Sequence, residues 1–298
     1  MKISAVHYGV MGIIMDLSEI QKNFPHLKDI TPLAKGGYKT VFRAKSDLHG
    51  DVVLKIINPG NDKDEITERI KREVRAAEVI ESVHIPQIFE SGMLNVGKEE
   101  LWIIEQWIDG KTLREHMQSG RKYSISEIYN FLEIMLQIII QAEIKKIVHR
   151  DIKPENIIID TTDKIWLIDF GISRHLDLSS LTNSNIPFAP CTIGYASAEQ
   201  FRNRKREIDS RTDLFAIGVV AYEMIIGENF YIKDARDAFQ VIRKIERDHL
   251  PVIKIAGDSQ YLMANFIQTI GDNRFSRRPS SAFEAYEILK TIKSTLVF

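Results

Sequence analysis

The sequence predicts an α+β fold in which a strand-rich beginning gives way to a helical remainder. Three observations carry this. Residues 51–57 (DVVLKII) and 101–108 (LWIIEQWI) are short runs of strand type. Residues 132–147 and 213–226 are longer apolar stretches of helical length. Between those two lies HRDIKPENIIIDTTDKIWLIDFG (149–171), where two β-branched and aromatic runs flank a polar turn cluster.

Composition narrows the class further. The 298 residues are 44% hydrophobic and 27% charged, ordinary for a globular protein with a sizeable core. A net charge of −1 gives no bulk electrostatic case for nucleic acid or an anionic membrane. The basic run RNRKR (202–206) reads as a solvated loop. One cysteine, Cys191, allows no internal disulfide and fits a reducing compartment, so a cytoplasmic location is expected. No segment reads as a spanning helix or signal peptide.

Taken in order, residues 1–26 form an extension whose one readable feature is a short helix over 17–23, with Asp16 or Ser18 near its N-cap. Residues 27–46 read as strand, Gly36-Gly37 turn and second strand, which alone is a plain hairpin. Alternation in 51–57 puts Val53, Lys55 and Ile57 on one face, so the Lys55 ammonium lies along an apolar surface and needs an anion. Ile66, Ile70, Ala77 and Ile80 then recur at helical spacing, with Glu73 inside their stripe. A carboxylate on the buried face calls for a cation, either the local Arg69 or the distant Lys55. Residues 101–110 read as an amphipathic strand running into a linker. Ser124-Ile125-Ser126-Glu127 is a capping box opening the first apolar helix, which Glu133, Gln137, Gln141 and Glu143 mark as buried rather than membrane-spanning. Asp213 is expected to open the second, with Gly227 as its stop.

The hairpin carries the chemistry. Folded symmetrically about residues 162 and 163, it sets Asn156 opposite Asp169, delivering an amide oxygen and a carboxylate to one open end. Asp151 and Lys153 precede them on a loop that must approach the same end. Oxygen ligands beside a cation suit a hard divalent metal and a polyphosphate. Each residue alone could be an ordinary turn former, and His149, after Ile147-Val148, a packed core histidine.

His149-Arg150-Asp151 with Asn156 five residues on, followed by Asp169-Phe170-Gly171, resembles the catalytic loop and metal-binding motif of eukaryotic-type serine/threonine protein kinases. The resemblance covers residues 27–294 and implies two lobes: a mainly-β N-lobe with one helix (27–104), a hinge (105–110) and a mainly-α C-lobe (111–298). It implies ATP and Mg²⁺ in the cleft, with Asn156 and Asp169 as metal ligands. Asp151 then orients the substrate hydroxyl, Lys153 stabilises the moving phosphoryl group, and Lys55, held by Glu73, contacts the phosphates. Nucleotide contacts are implied from Leu33, Ala34, Lys35, Gly36, Gly37, Val41, Val53 and Ile158. Ile104 becomes the gatekeeper, with backbone groups of Glu105 and Trp107 on the adenine edge. Residues 171–190, with Ser173, Ser179, Ser180, Thr182 and Ser184, look like an activation loop that could dock on Arg150 once phosphorylated. Asp213 would brace the catalytic loop, and Glu199 would pair with Arg278. Lys153 and Thr192 look like serine/threonine rather than tyrosine features, so the implied partners are proteins bearing Ser or Thr.

Ala34 and Lys39 replace the first and third loop glycines, and Ala198 stands where the family has proline. These departures keep a catalytically weak pseudokinase, acting as a binding or scaffolding module, as an alternative. A small-molecule phosphotransferase on the same fold is the other.

Overall fold

The computed structural model describes residues 17–35, 39–57, 78–96, 98–170, 193–202 and 204–298. They divide into two compact units, one within Met1–Glu68 and Gln87–Trp107, the other within Arg69–Pro86 and Ile108–Phe298. The division falls inside the stretch read as a hinge. Residues 78–86, read with the first lobe, group with the second unit because His84 bonds there: its Nδ1 meets Ile165 O at 2.7 Å and its carbonyl accepts from Leu167 N at 2.9 Å.

In the first unit, helix α1 (Leu17–Asn23) leads into an antiparallel sheet. Its strands are β1 (Leu27–Lys35), β2 (Lys39–Ser46), β3 (Gly50–Ile57), β4 (Ile88–Val96) and β5 (Lys98–Gln106), in the order β1-β2-β3-β5-β4. β3 is central and pairs Val41 with Lys55, Leu54 with Ile104, and Val53 with Glu105. Alternation therefore gives the sheet two distinct faces. Val52, Leu54, Ile56, Phe42, Ala44 and Ile104 form one core with Ile20, Phe24 and Leu27. The Phe24 ring stands edge-on to Trp102 at 5.2 Å. The stretch set apart in the sequence as an extension thus supplies part of this core. The opposite face carries Val41, Val53, Lys55, Ile57, Ile103 and Glu105.

In the second unit, β6 (Gly110–Thr112), β7 (Ile157–Asp160) and β8 (Ile165–Leu167) make a small sheet. Helices α2 (Leu113–Gln118), α3 (Ile125–Ile144), α4 (Ala198–Phe201), α5 (Ser210–Ile226), α6 (Ala238–Arg247), α7 (Leu262–Ile270) and α8 (Ala282–Ile292), with short 3-10 turns such as Pro154–Asn156, supply the rest of the regular structure described. The predicted capping box is formed: Ser124 Oγ accepts from Glu127 N, while Glu127 Oε2 accepts from Ser124 N at 2.8 Å. Helix α5 is buried on nearly every side, as expected of a helix apolar all round. A Cβ on Gly218 would lie 2.6 Å from Gly271 N, so this glycine lets α5 and the end of α7 meet backbone to backbone. Among the described residues no helix is long and apolar enough to cross a membrane.

Two expectations need correction. Helix α5 starts at Ser210, capped by Asp209, whose side chain accepts from Arg211 N; Asp213 lies one turn inside. Gly227 does end it, in the left-handed region at φ 91°. The hairpin is centred on Thr162 rather than between residues 162 and 163. Its pairs are Ile157 with Leu167 and Ile159 with Ile165, so Asn156 faces Ile168 and Asp169 lies one residue beyond. The cause is a three-residue loop with Asp163 at φ 62°. Asp160 pins that loop, accepting from Thr162 N, Thr162 Oγ1, Lys164 N and Trp166 Nε1 at 2.7–3.0 Å.

Candidate active site

The second unit builds its site on the turn between α3 and β7. Asp213 is fully buried and accepts the backbone N–H groups of His149 at 2.8 Å and Arg150 at 2.7 Å. Burial pushes its carboxyl up to about 7, with those two N–H donors pulling the other way. Arg150 takes φ 69°, unusual for a residue with a side chain, and its carbonyl accepts from Gln200 Nε2 at 2.9 Å. His149 is a core residue, as its neighbours implied. Its Nδ1 accepts from Asp151 N at 3.3 Å, its Nε2 meets Ile168 O at 3.1 Å, and its ring stands edge-on to Phe170 at 4.6 Å. Burial pulls the imidazole down to about 4 against the attraction of Asp151 and Asp169, so the ring is neutral at pH 7.

This scaffold sets Asp151 in one orientation. Asn156 Nδ2 donates to Asp151 Oδ2 and to its carbonyl oxygen, both at 2.8 Å, while Lys153 Nζ lies 3.0 Å from Oδ1. A single 3-10 turn, Pro154–Asn156, makes this local: Asn156 N reaches Lys153 O at 2.9 Å, and proline sits at the turn start where its missing N–H costs nothing. Ile168 N donates to Asn156 O at 2.9 Å, which brings the next residue, Asp169, to the same end of the hairpin at φ 65°. With Nδ2 committed to Asp151, the Asn156 amide oxygen is the atom that could hold a cation beside the Asp169 carboxylate. One carboxylate and one amide oxygen suit Mg²⁺, which takes few protein ligands and completes its shell with water and phosphate. Among the described residues no cluster of three or more His, Cys, Asp or Glu side chains could hold a metal by itself. Ile158 is half-buried on β7, between the buried Ile157 and Ile159.

A second network ties the loop down. Arg114 on α2 donates to Glu155 at 2.8 Å and to Glu223 on α5 at 2.6 Å, and Tyr195 Oη donates to Glu223. Farther along, Arg278 pairs with Glu199 at 2.6 Å, both wholly buried, as the sequence anticipated. The basic run is partly neutralised, Arg202 by Glu246 and Arg204 by Glu207.

The first unit carries the other residues. Lys55 is buried and its ammonium is ion-paired with Glu105 on β5. Val41 and Val53 share its face through the strand register. Leu33, Ala34 and Lys35 are exposed at the end of β1. Gly36, Gly37 and Glu73 lie outside the described residues, as do residues 171–192. The expected Lys55–Glu73 pair and activation loop therefore fall outside the described residues.

At Ile104 the structure corrects the reading. Its side chain is wholly buried in the core beside α1, on the sheet face opposite Lys55, because successive residues of a strand point to opposite sides. On the face of Lys55, β5 presents Ile103, directly across from it, and Glu105, whose carboxylate pairs with its ammonium. The backbone of Glu105 lies within the sheet, flanked by Val53 on β3 and Ile88 on β4. Trp107 lies beyond the strand, its ring under the Arg43 guanidinium at 4.3 Å. A signal for Glu105 was present: an acid within an apolar strand requires a cation if it is buried. Gln200 left no comparable trace in the sequence.

A model of the protein kinase domain matches residues 27–291. The chain is 26% identical to the probable serine/threonine-protein kinase pknA2 of Bifidobacterium longum over 89% of its length, covering 34% of that protein. It is 30% identical to the serine/threonine-protein kinase PrkC of Bacillus subtilis over 64% of its length, covering 29% of that relative. With the serine/threonine-protein kinase PknB of Mycobacterium leprae the figures are 29%, 74% and 36%. The chain thus spans about a third of the length of these relatives.

Proposed function

This chain belongs to the protein kinase domain family, and from that premise we propose that it transfers the γ-phosphoryl group of ATP to Ser or Thr hydroxyls of protein substrates. The observation that carries the reading is Asp151, held in one rotamer by Asn156 and Lys153 on a turn braced by Asp213. In this reading Asp151 receives the substrate proton as the hydroxyl oxygen bonds to phosphorus and the bond to the ADP oxygen breaks. Lys153 stays beside the carboxylate and offsets charge on the transferring group. Asn156 and Asp169 would hold the metal, and Lys55 would align the α- and β-phosphates. Bound Mg²⁺ would neutralise charge on the phosphate oxygens. The chain's own contribution is positioning and electrostatic stabilisation, which dominate for a loose transition state.

The serine/threonine class is supported by the relatives, which are serine/threonine-protein kinases by name, and by Lys153. The single cysteine supports a reducing compartment, which we take to be the cytoplasm. Mass spectrometry after incubation with Mg·ATP, beside Lys55→Ala, tests the reading. Phosphate on Ser or Thr of the wild type but not the variant is the expected result. Folded wild-type protein that gains none, on itself or on an added protein substrate, would favour the binding module.

A further inference from the structure

The ion pair between Lys55 and Glu105 has a consequence for nucleotide binding that neither residue shows alone. Both side chains are withdrawn from water, Lys55 at 3% and Glu105 at 10% exposure, on a face otherwise formed by Val41, Val53, Ile57 and Ile103. An ammonium on such a face needs an anion, and Glu105 supplies one from within the sheet itself. Its place is set by register: Glu105 pairs with Val53, two residues from Lys55 along the same face, on adjacent hydrogen-bonded strands. That placement is fixed by the pairing of β3 with β5, so the carboxylate stays next to the ammonium whenever the sheet is folded.

We propose that Glu105 is a positioning residue that attenuates nucleotide binding, its carboxylate competing with the ATP phosphates for the Lys55 ammonium. The inference rests on the reading of Lys55 as the phosphate contact. Lysine has three N–H donors and can serve a carboxylate and a phosphate together. Yet the carboxylate charge remains, and like charges brought together where water is scarce repel strongly. A triphosphate reaching Lys55 must therefore share the ammonium with Glu105 or displace it. Either event weakens binding relative to a sheet without that charge.

Glu105→Gln keeps the shape and removes the charge. Titration with Mg·ATP, read by calorimetry on folded wild type, Glu105→Gln, Lys55→Ala and the double variant, separates the outcomes. Glu105→Gln should bind about tenfold more tightly than wild type, while the same change in the Lys55→Ala background should tighten binding far less. A role in stability alone would lower the melting temperature without tightening Kd. Should Glu105→Gln not fold, Glu105→Met, similar in volume, takes its place in the same titration. Wild-type binding that weakens in Lys55→Ala but does not tighten in the Glu105 variant overturns this proposal alone. Wild-type protein that binds no Mg·ATP overturns the nucleotide reading and the proposal with it.

Discussion

Arg150 holds a left-handed backbone, φ 69°, while giving its N–H to the buried Asp213 carboxylate at 2.7 Å. A residue with a side chain adopts that conformation at a cost, so the surrounding bonds must impose it. Asp213 supplies two of them, to consecutive amides, and Gln200 a third. Asp213→Asn would keep one acceptor and turn an N–H₂ toward the other amide. Stability should fall by about 2–4 kcal/mol. The kcat should drop at least tenfold with Mg·ATP affinity nearly unchanged, because the residue acts through the turn carrying Asp151. Unfolding by urea and steady-state kinetics read both; an unaltered kcat would remove Asp213 from the positioning of Asp151.

Asp151→Asn removes the proton acceptor but keeps the shape of the loop. The kcat should fall by on the order of 10²–10⁴ while Mg·ATP still binds. Unchanged turnover in the same phosphotransfer assay would take Asp151 out of the mechanism.

Arg278 and Glu199 form a wholly buried pair, and Arg278 also donates to the carbonyls of Arg211, Asp272 and Asn273. Removing one partner strands the other charge, so Glu199→Gln or Arg278→Met should each cost about 3–5 kcal/mol. Glu199→Gln with Arg278→Met should cost less than the sum. Single losses below about 1 kcal/mol in chemical denaturation would contradict this account.

His149 makes a contribution of definite sign to the pH dependence of stability. Its folded value, about 4, lies below the ordinary 6.5, so between those values the unfolded chain binds more protons. Stability from this group is therefore complete above about pH 6.5 and is lost as pH falls toward 4. Asp213, raised from 3.8 to about 7, has the opposite sign: its contribution weakens stability as pH rises through that range. The two oppose each other in the wild type. His149→Phe removes one of them, so the stability advantage of wild type over the variant should grow by about 2–3 kcal/mol from pH 4.5 to 7. An advantage that does not change with pH would mean that His149 is not held neutral by burial.

Much of this was legible in the order of residues. The capping box at Ser124, the glycine stop at Gly227, the strand at residues 51–57 and the set Asp151, Lys153, Asn156 depend on neighbours within a few positions. Local hydrogen bonding and side-chain periodicity suffice to determine such features. The Glu199–Arg278 pair, though distant in the chain, was reached through the family motif.

The tertiary structure alone decided matters of register. A loop of odd length at Asp160 moved the hairpin by one residue, which set Ile168 rather than Asp169 across from Asn156. A single step along β5 separates Ile104, packed in the core, from Glu105, paired with Lys55. A strand changes face at every residue, so an error of one position exchanges core for site. Composition and motif specify which groups a strand carries; only its pairing with neighbouring strands determines which of them meet.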